Sequence, residues 1–265
     1  MTTLQNAWRQ LFKPRLTQPA QTQASANMFT PDLIERLSHE MRTSLTGIVG
    51  YAEFIEEGSE PAMASFTAKI IRESSQELVR SVQSFVDLYQ SNVSQDQVSC
   101  NAFSAARIMF DLVQQYQVQA HQLQLSLIFN CSDEAQLTTL YSDEERFTKM
   151  MHALISGALL GATRGAMVVV GLSLQAKEQS VEILIQEIGG IAKLRHSQLL
   201  KQFWNEPRYV FKMQEGPGLD MALAKSLLLA LGGRAVFTAV KGQGDQLHIW
   251  LPVNLTVPHN RSDHE

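Results

Sequence analysis

The stretch that decides the fold reads DLIERLSHEMRTSLTGIVGYAEFIEEG and covers residues 32–58. Its apolar residues recur every three or four positions, which is the spacing that places side chains along one face of an α-helix. The members of this seam are Leu33, Leu37, Met41, Leu45, Ile48, Ala52 and Ile55. Gly58 and Pro61 follow the seam and predict the end of one long helix.

A second apolar seam follows after a short connection, which predicts an antiparallel helical hairpin. Its members are Ile71, Leu78, Val82, Phe85 and Tyr89, with Ser75 interrupting it. Two helices that each carry a full seam cannot bury both seams alone, so pairing with a second copy into a four-helix bundle is expected. We therefore predict a homodimer, with residues 28–95 as its dimerisation domain.

The pattern changes after residue 100, where helical and strand-like periodicities alternate. Helices are predicted at residues 103–119, 143–163 and 219–231, and strands at 123–129, 168–174, 181–185, 235–240 and 246–251. This order predicts an α+β sandwich over residues 100–255, with helices on one face of an antiparallel sheet. Residues 14–27 are poor in large apolar side chains, so residues 1–27 are expected to be a flexible leader and residues 256–265 a tail.

Composition and charge exclude several classes of function. The net charge of -4 provides no basic surface for nucleic acid, and no apolar run is long enough to cross a membrane. Cys100 and Cys131 are far apart, and His121, His152, His196 and His248 lack metal-ligand spacing, so no disulfide framework or metal site is expected. These features predict a cytoplasmic protein without membrane insertion.

The nonapeptide LSHEMRTSL, residues 37–45, resembles the H-box of sensor histidine kinases. In that family a helix-borne histidine takes the terminal phosphoryl group of ATP and passes it to an aspartate of a response-regulator receiver domain. The resemblance implies that His39 is the phosphoacceptor, because a neutral imidazole nitrogen is a competent nucleophile toward phosphorus. Ser44 stands where the family usually has proline, which predicts a straighter helix.

Two neighbours of His39 have implied roles in the same chemistry. Glu40 occupies the position of the family's base, where a carboxylate can hold one ring nitrogen and leave the other unprotonated. Thr43 lies one helical turn after His39, at the position that supports phosphatase activity in the family by aiming a water at an acyl phosphate. Kinase and phosphatase chemistry could thus share one helix face.

The rest of the chain resembles the ATP-binding domain of the same kinases in a degenerate form. In the first nucleotide helix, the residues Asp143, Arg146 and Phe147 match the register of the family's pattern. The two asparagine positions of that pattern fall on Ala153 and Gly157, and the basic residue expected afterwards is Leu160. The second asparagine coordinates magnesium in the family, and Gly157 has no side chain that could do so.

Two glycine-containing elements of the family are also altered. The adenine-binding loop reads QEIGGI over residues 186–191, with Glu187 in place of the family's aspartate and with Gly189 and Gly190 after it. The later element GPGLDMA, residues 216–222, keeps Gly216 and Gly218 ahead of a helix whose N-terminus could attract phosphate. Asp220 occupies a glycine position of this element and adds negative charge there.

Trp204, Tyr209 and Phe211 lie in a segment that is a mobile nucleotide lid in the family. Their apolar character is typical of core residues or of a surface that binds a partner. The sequence leaves these two interpretations open.

The resemblance implies ATP and magnesium as cofactors, but the magnesium ligand, the adenine acid and one lid glycine are changed. Loss of the metal leaves phosphate charge uncompensated, so we expect little or no ATP hydrolysis.

Three interpretations of the function follow. The first is a dimeric phosphotransferase that exchanges phosphate with receiver domains through His39, downstream of a sensor kinase. The second is an active kinase with a divergent ATP site. The third is a non-catalytic scaffold or anti-kinase, which would need neither His39 nor Thr43.

Overall fold

The computed structural model describes residues 31–58, 61–93, 99–189, 194–205, 218–240 and 244–255. Two long helices come first, α1 at Pro31–Glu56 and α2 at Pro61–Val93, and they pack together as the predicted hairpin. Gly58 adopts a φ of +96° just after α1, in the left-handed region that favours glycine. The predicted leader (residues 1–27) and tail (residues 256–265) lie outside the described residues.

Helix α1 continues without interruption through Ser44, the position at which the kinases that the H-box resembles usually have proline. The Ser44 side chain is buried, although serine is a polar residue. Because serine keeps the backbone N–H that proline lacks, the helical hydrogen-bond ladder needs no break at this position.

The hairpin leaves many large apolar side chains exposed. Leu37, Met41 and Ile48 are half-buried, as their seam positions predict. In the described part of the hairpin the exposed large apolar residues are Ile34, Leu45, Val49, Tyr51, Phe54, Met63, Phe66, Val79, Val82, Val86 and Tyr89. Exposed apolar side chains in this number are characteristic of helices that another protein surface covers.

The C-terminal domain alternates short helices and strands. Its elements are β1 (Asn101–Phe103), α3 (Ala105–Gln122), β2 (Ser126–Cys131), α4 (Asp133–Gln136), β3 (Leu140–Ser142), α5 (Glu144–Gly161), β4 (Met167–Gln175), β5 (Ser180–Ile188), α6 (Leu194–Asn205), α7 (Leu219–Ala230), β6 (Arg234–Val240) and β7 (Gly244–Pro252). Five strands form one sheet in the order β2-β4-β5-β7-β6, while β1 and β3 form a separate antiparallel pair. The predicted helical hairpin followed by an α+β domain is confirmed.

The core lies between one face of the five-stranded sheet and the helices α3, α5 and α7. Alternate strand residues point into it, such as Val168, Val170 and Leu172 of β4. The first turn of α5 is fixed by Asp143, whose Oδ1 accepts a hydrogen bond of 2.9 Å from the Arg146 backbone N–H. This cap orients α5, which forms one wall of the site described below.

Three features of this domain differ from the prediction. The strand expected from Leu123 begins only at Ser126, because α3 continues to Gln122 and Gln124 turns the chain with a φ of +57°. Strand β2 pairs parallel with β4, since the chain crosses over through α5 between them. Helices α4 and α6 and the short strands β1 and β3 were not predicted.

Helix α6 is attached to the edge of the sheet by its last residue. The Asn205 Nδ2 group donates to the Phe237 carbonyl at 2.9 Å, and its Oδ1 accepts from the Phe237 N–H at 2.8 Å. The buried Lys225 of α7 donates to the Phe203 carbonyl, and its Nζ lies 4.7 Å from the centre of the Phe203 ring. These contacts turn Trp204 toward the interior.

Helix α2 is joined to the C-terminal domain at three points. Leu88 is fully buried and belongs to the core cluster of that domain. The Ser84 hydroxyl donates to Asp220 Oδ1 at 2.6 Å, and Lys149 Nζ lies 3.1 Å from Asp87 Oδ1. The hairpin and the C-terminal domain therefore share a packed interface.

Within the part of the chain that the structure describes, no helix is both long enough and apolar enough to span a lipid bilayer.

Candidate functional site

His39 and Thr43 lie on an exposed face of α1, where a partner protein can reach them. Both side chains are solvent-exposed, and the four-residue spacing places them one turn apart on the same side of the helix. The Thr43 hydroxyl donates to the His39 carbonyl oxygen at 3.0 Å. This bond anchors the hydroxyl next to the imidazole, and its oxygen lone pairs stay able to accept a hydrogen bond from a water.

Glu40 is half-buried and faces the hairpin interior rather than the surface that carries His39. Adjacent residues of a helix point in different directions, which explains why these neighbours lie in different environments. The Ser81 hydroxyl of α2 donates to Glu40 Oε2 at 3.4 Å. Glu40 thus connects the surface of His39 with the space between the hairpin and the C-terminal domain.

That space is a cavity of about 450 Å³. On the hairpin side its wall is formed by Glu40, Glu77, Arg80 and Ser81. Its apolar lining on the other side is formed by Leu154, Ala158, Leu160, Val168, Ile185, Leu200, Trp204, Leu219, Met221, Phe237 and Leu247. Of the residues predicted to bind nucleotide, Glu187 and Gly218 line this cavity.

The remaining predicted nucleotide residues are not all placed. Gly189 is described, with a φ of +83°, and Gly190 and Gly216 lie outside the described residues. Trp204 is buried and lines the cavity. It is therefore a core residue and not part of an exposed surface that binds a partner. Tyr209 and Phe211 also lie outside the described residues.

The position of the family's magnesium ligand is closely packed. A Cβ atom built on Gly157 would lie 2.2 Å from the methyl carbon of Met221. Met221 is the second residue after Leu219 in α7, so it belongs to the altered glycine element. The side chain of Met221 therefore fills the space that an asparagine at residue 157 would need.

Asp220 lies in the first turn of α7, where its carboxylate is favoured by the partial positive charge of the helix N-terminus. One carboxylate oxygen accepts the 2.6 Å hydrogen bond from Ser84. The helix terminus that the sequence resemblance implied as a phosphate site thus already has an anion of its own. Ser84 is buried, so this bond lies in a setting where charge-assisted hydrogen bonds are strong.

Glu187, at the position of the adenine-binding acid, has a structural partner within the chain. Its Oε1 accepts a hydrogen bond of 2.9 Å from the backbone N–H of Thr163, which follows the end of α5. Residue 244 has to be glycine, because a Cβ atom there would lie only 1.7 Å from the Glu187 carbonyl oxygen. This contact fixes the β5 end that carries Glu187.

The described lining of the cavity is strongly acidic. Among the described residues, its lining includes five acidic ones, Glu40, Glu77, Glu187, Asp220 and Asp245, and one arginine, Arg80. Walls of low polarity strengthen the field of such charges. The potential in this cavity therefore favours cations and disfavours anions.

Sequence reasoning missed the contribution of α2 to this site. Glu77, Arg80, Ser81 and Ser84 recur at helical spacing, so a polar stripe on α2 beside the apolar seam was visible in the sequence. What the stripe faces depends on the packing of α2 against α7, which the sequence pattern does not encode.

His152 of α5 lies close to the cavity and contacts Tyr116 of α3. The Tyr116 hydroxyl is 3.3 Å from His152 Nδ1, and the two rings meet edge to face. Burial lowers the pKa of His152 below its usual 6.5. Burial also raises the pKa of Tyr116, and the charge of Asp220 adds to this effect.

The pKa of His152 predicts a pH dependence of stability. Because its folded-state pKa is lowered, the unfolded chain binds a proton more readily than the folded chain below pH 6.5. The contribution of neutral His152 is present above pH 6.5 and is lost as the pH falls through the folded-state pKa. We expect the unfolding free energy of His152→Gln to fall less steeply than that of the unchanged protein as the pH is lowered below 6.5. The measurement is urea unfolding across a pH series.

The matched control for this series is His121→Gln, which changes an exposed histidine of the same domain. It should reproduce the pH profile of the unchanged protein. An unaltered profile in His152→Gln would contradict the assignment of the acid-sensitive step to His152.

In the described part of the chain, no group of three or more His, Cys, Asp or Glu side chains is arranged to hold a metal ion. His248 instead pairs with Glu182, with 2.8 Å between Nδ1 and Oε1. Cys100 and Cys131 are both free thiols.

Comparison with known proteins identifies the first of the two domains. Residues 32–92 match the family model of the His Kinase A phospho-acceptor domain. This range coincides with the helical hairpin and includes His39.

Curated relatives match most of the chain at low identity. The sensor histidine kinase WalK of Bacillus subtilis is 22% identical over 224 residues, which are 83% of this chain and 36% of WalK. The autoinducer 2 sensor kinase/phosphatase LuxQ of Vibrio parahaemolyticus is 23% identical over 257 residues, which are 96% of this chain and 29% of LuxQ. The chain thus spans about a third of the length of these relatives.

Solved structures share the fold across both domains. The histidine kinase AdeS of Acinetobacter baumannii superimposes with a TM-score of 0.58 at 17% identity, covering 81% of this chain and 98% of AdeS. The histidine kinase ThkA, solved in complex with the response regulator TrrA, gives a TM-score of 0.61 at 15% identity and covers 84% of this chain and 61% of ThkA. Both matches extend over the hairpin and the sheet domain together.

Proposed function

Because the chain belongs to the two-component histidine kinase family, we propose that it carries a phosphoryl group on His39 and exchanges it with an aspartate of a response-regulator receiver domain. The observation that carries this proposal is the exposed imidazole on the phosphoacceptor helix α1. ThkA was solved with a response regulator bound, and the α1 face that carries His39 is exposed in this chain.

The transfer step needs only groups that this chain and its partner supply. The lone pair of one imidazole nitrogen attacks the phosphorus of an aspartyl phosphate, a P–N bond forms, and the P–O bond breaks to release the aspartate carboxylate. The ring gains positive charge and then loses the proton on its other nitrogen. Glu40 is the proposed base or orienting group, and Thr43 the residue that positions water for dephosphorylation.

We propose that ATP is not the phosphate donor of this chain. Three observations support this. Gly157 offers no side chain to magnesium, and Met221 fills the space beside it. Asp220 places an anion at the helix terminus where phosphates would approach. The acidic lining of the cavity repels a triphosphate that lacks a bound metal. The residues present therefore do not fit a magnesium-bound nucleotide, and phosphate would enter from an upstream sensor kinase through a receiver domain.

The proposed assembly is a homodimer. The exposed apolar residues of α1 and α2 would be buried if two hairpins paired into a four-helix bundle. In the domain organisation that we propose, residues 28–95 form the dimerisation and phosphoacceptor domain, and residues 100–255 form a degenerate ATPase-like domain. A leader at residues 1–27 and a tail at residues 256–265 flank the two domains. A monomeric mass in light scattering at micromolar concentration would contradict the dimer.

One labelling experiment tests the function. The purified protein is incubated first with radiolabelled ATP and magnesium, and then separately with a receiver domain that carries labelled phosphate. We expect no self-labelling in the first incubation and rapid acquisition of label in the second. Self-labelling on His39 would instead establish an active kinase, and absence of label in both incubations would support a scaffold or anti-kinase.

A further inference from the structure

We propose that the cavity between the hairpin and the C-terminal domain is a binding site for a small organic cation with an aromatic or aliphatic body, and that its occupancy acts on His39 through Glu40. The inference rests on the proposed function for the link to His39. The binding site itself rests on the shape and charge of the cavity.

The shape of the cavity suits a small organic molecule. Its volume of about 450 Å³ lies within the range of small-molecule sites, which runs from about 300 to about 1,000 Å³. The floor is formed by core residues of α5 and of the sheet, including Leu154 and Ile185. Since these residues are held by the domain core, the cavity is preformed and binding requires little rearrangement.

The charge of the cavity selects a cation. Five carboxylates of the described lining outnumber the one guanidinium of Arg80, and Trp204 and Phe237 add two aromatic side chains. An ammonium or guanidinium group gains from nearby carboxylates and from the faces of aromatic rings. The apolar floor would contact the body of the same molecule.

The same changes that oppose nucleotide binding leave this cavity open to another ligand. The methyl end of Met221 lies beside Gly157, and Ser84 holds Asp220 in the first turn of α7. Helix α6 is held against the sheet by Asn205, which keeps Trp204 in the wall. The cavity therefore has defined walls on both of its sides.

Glu40 provides the connection to the phosphoacceptor. Its carboxylate lines the cavity and accepts the Ser81 hydrogen bond, while its backbone follows directly on His39. A cation in the cavity would compete with Ser81 for this carboxylate and would hold it away from the imidazole. A ligand changes the balance between two positions of a side chain only if it contacts one position better than the other. A bound cation would favour the Glu40 position that faces the cavity, and this is how occupancy would change phosphotransfer at His39.

Binding is measured by isothermal titration of the full chain with three probe amines, namely tryptamine, phenethylamine and spermidine. The matched anion is indole-3-propionate, which has the ring system of tryptamine with a carboxylate in place of the ammonium. We expect saturable binding of at least one amine, and at least about tenfold weaker binding of the anion than of tryptamine. Failure of all three amines to bind, or equal binding of tryptamine and the anion, would overturn the proposal.

Two variants locate the binding. Glu77→Gln should weaken amine binding about two- to fivefold, because Glu77 is an exposed member of the lining. Glu73→Gln is the matched control, since Glu73 is exposed on the same helix one turn earlier and pairs with Lys69. Ala158→Phe, checked for folding by thermal unfolding, should fill the cavity and remove binding. Unchanged amine binding in both Glu77→Gln and folded Ala158→Phe would exclude this cavity as the site.

The link to His39 is measured as the rate of label transfer from a phosphorylated receiver domain, with and without saturating amine. We expect the amine to change this rate by at least about threefold in the unchanged protein and not in Glu40→Gln. If amines bind but His39 never acquires label, the proposed function fails and the binding site stands. If label is acquired normally but no amine binds or none alters the rate, this inference fails and the proposed function stands.

Discussion

Replacing His39 with glutamine is expected to lower phosphoryl acceptance from a phosphorylated receiver domain by at least about three orders of magnitude, because the amide has no nucleophilic nitrogen lone pair. The side chain is exposed, so the change removes no core contact and should leave the fold intact. The measurement is label transfer to the protein, followed by a test for the alkaline stability that distinguishes phosphohistidine from acyl phosphate.

The control for this prediction is His121→Gln, which changes an exposed histidine on α3 of the other domain. It should acquire label at the rate of the unchanged protein. Far-ultraviolet circular dichroism should give the same helical content for both variants. Retained acceptance in folded His39→Gln would assign the phosphoryl group to another residue and remove the basis of the proposed function.

Replacing Leu88 with alanine is expected to lower the free energy of unfolding by about 2–5 kcal/mol. Leu88 is at 0% exposure and lies near the end of α2, yet it is part of the core of the C-terminal domain. Truncation would leave a void at the junction of the hairpin and that domain, next to the ends of α2 and α7. The measurement is urea unfolding followed by circular dichroism at fixed protein concentration.

Gln90→Ala is the matched control, because residue 90 is exposed on the same helix two positions later. Its unfolding free energy should stay within about 0.5 kcal/mol of the unchanged protein. If Leu88→Ala were as stable as this control, the end of α2 would not be part of the core, and the cavity would lack one of its supports. The same experiment therefore also tests the structural basis of the proposed cation site.

Several features of the fold follow from short-range sequence patterns. The seams of α1 and α2, with Gly58 and Pro61 after the first, predict a hairpin that the structure confirms. The strand patterns over β4, β5, β6 and β7 likewise predict four of the five strands of the main sheet. The predicted start of β2 was wrong. Leu123 and Leu125 alternate like strand residues, but α3 extends to Gln122 and the strand begins only at Ser126. Tertiary packing of α3 overrides the local pattern there.

The candidate site was predictable only in part. The nonapeptide around His39 predicts the phosphoacceptor, since the proposed chemistry is carried by adjacent residues of one helix. The roles of Glu40 and Thr43 stay predictions, although the structure adds that Glu40 faces the cavity and Thr43 the surface. Glu77 and Arg80 had no assigned role in the sequence because the surface that they face is formed by another domain.

By itself the sequence determined that this chain forms a helical hairpin, followed by an α+β domain with altered nucleotide motifs, and it predicted His39 of the hairpin as the reactive residue. Periodicity and motif identity are properties of neighbouring residues, so they can be read without knowledge of the packing. Only the tertiary structure decided that Met221 fills the space beside Gly157 and that Ser84 binds Asp220. It also decided that Glu40 and Asp245, which are far apart in the chain, line one acidic cavity. These contacts join distant segments, and the field of five carboxylates exists only where the packing of both domains brings them together.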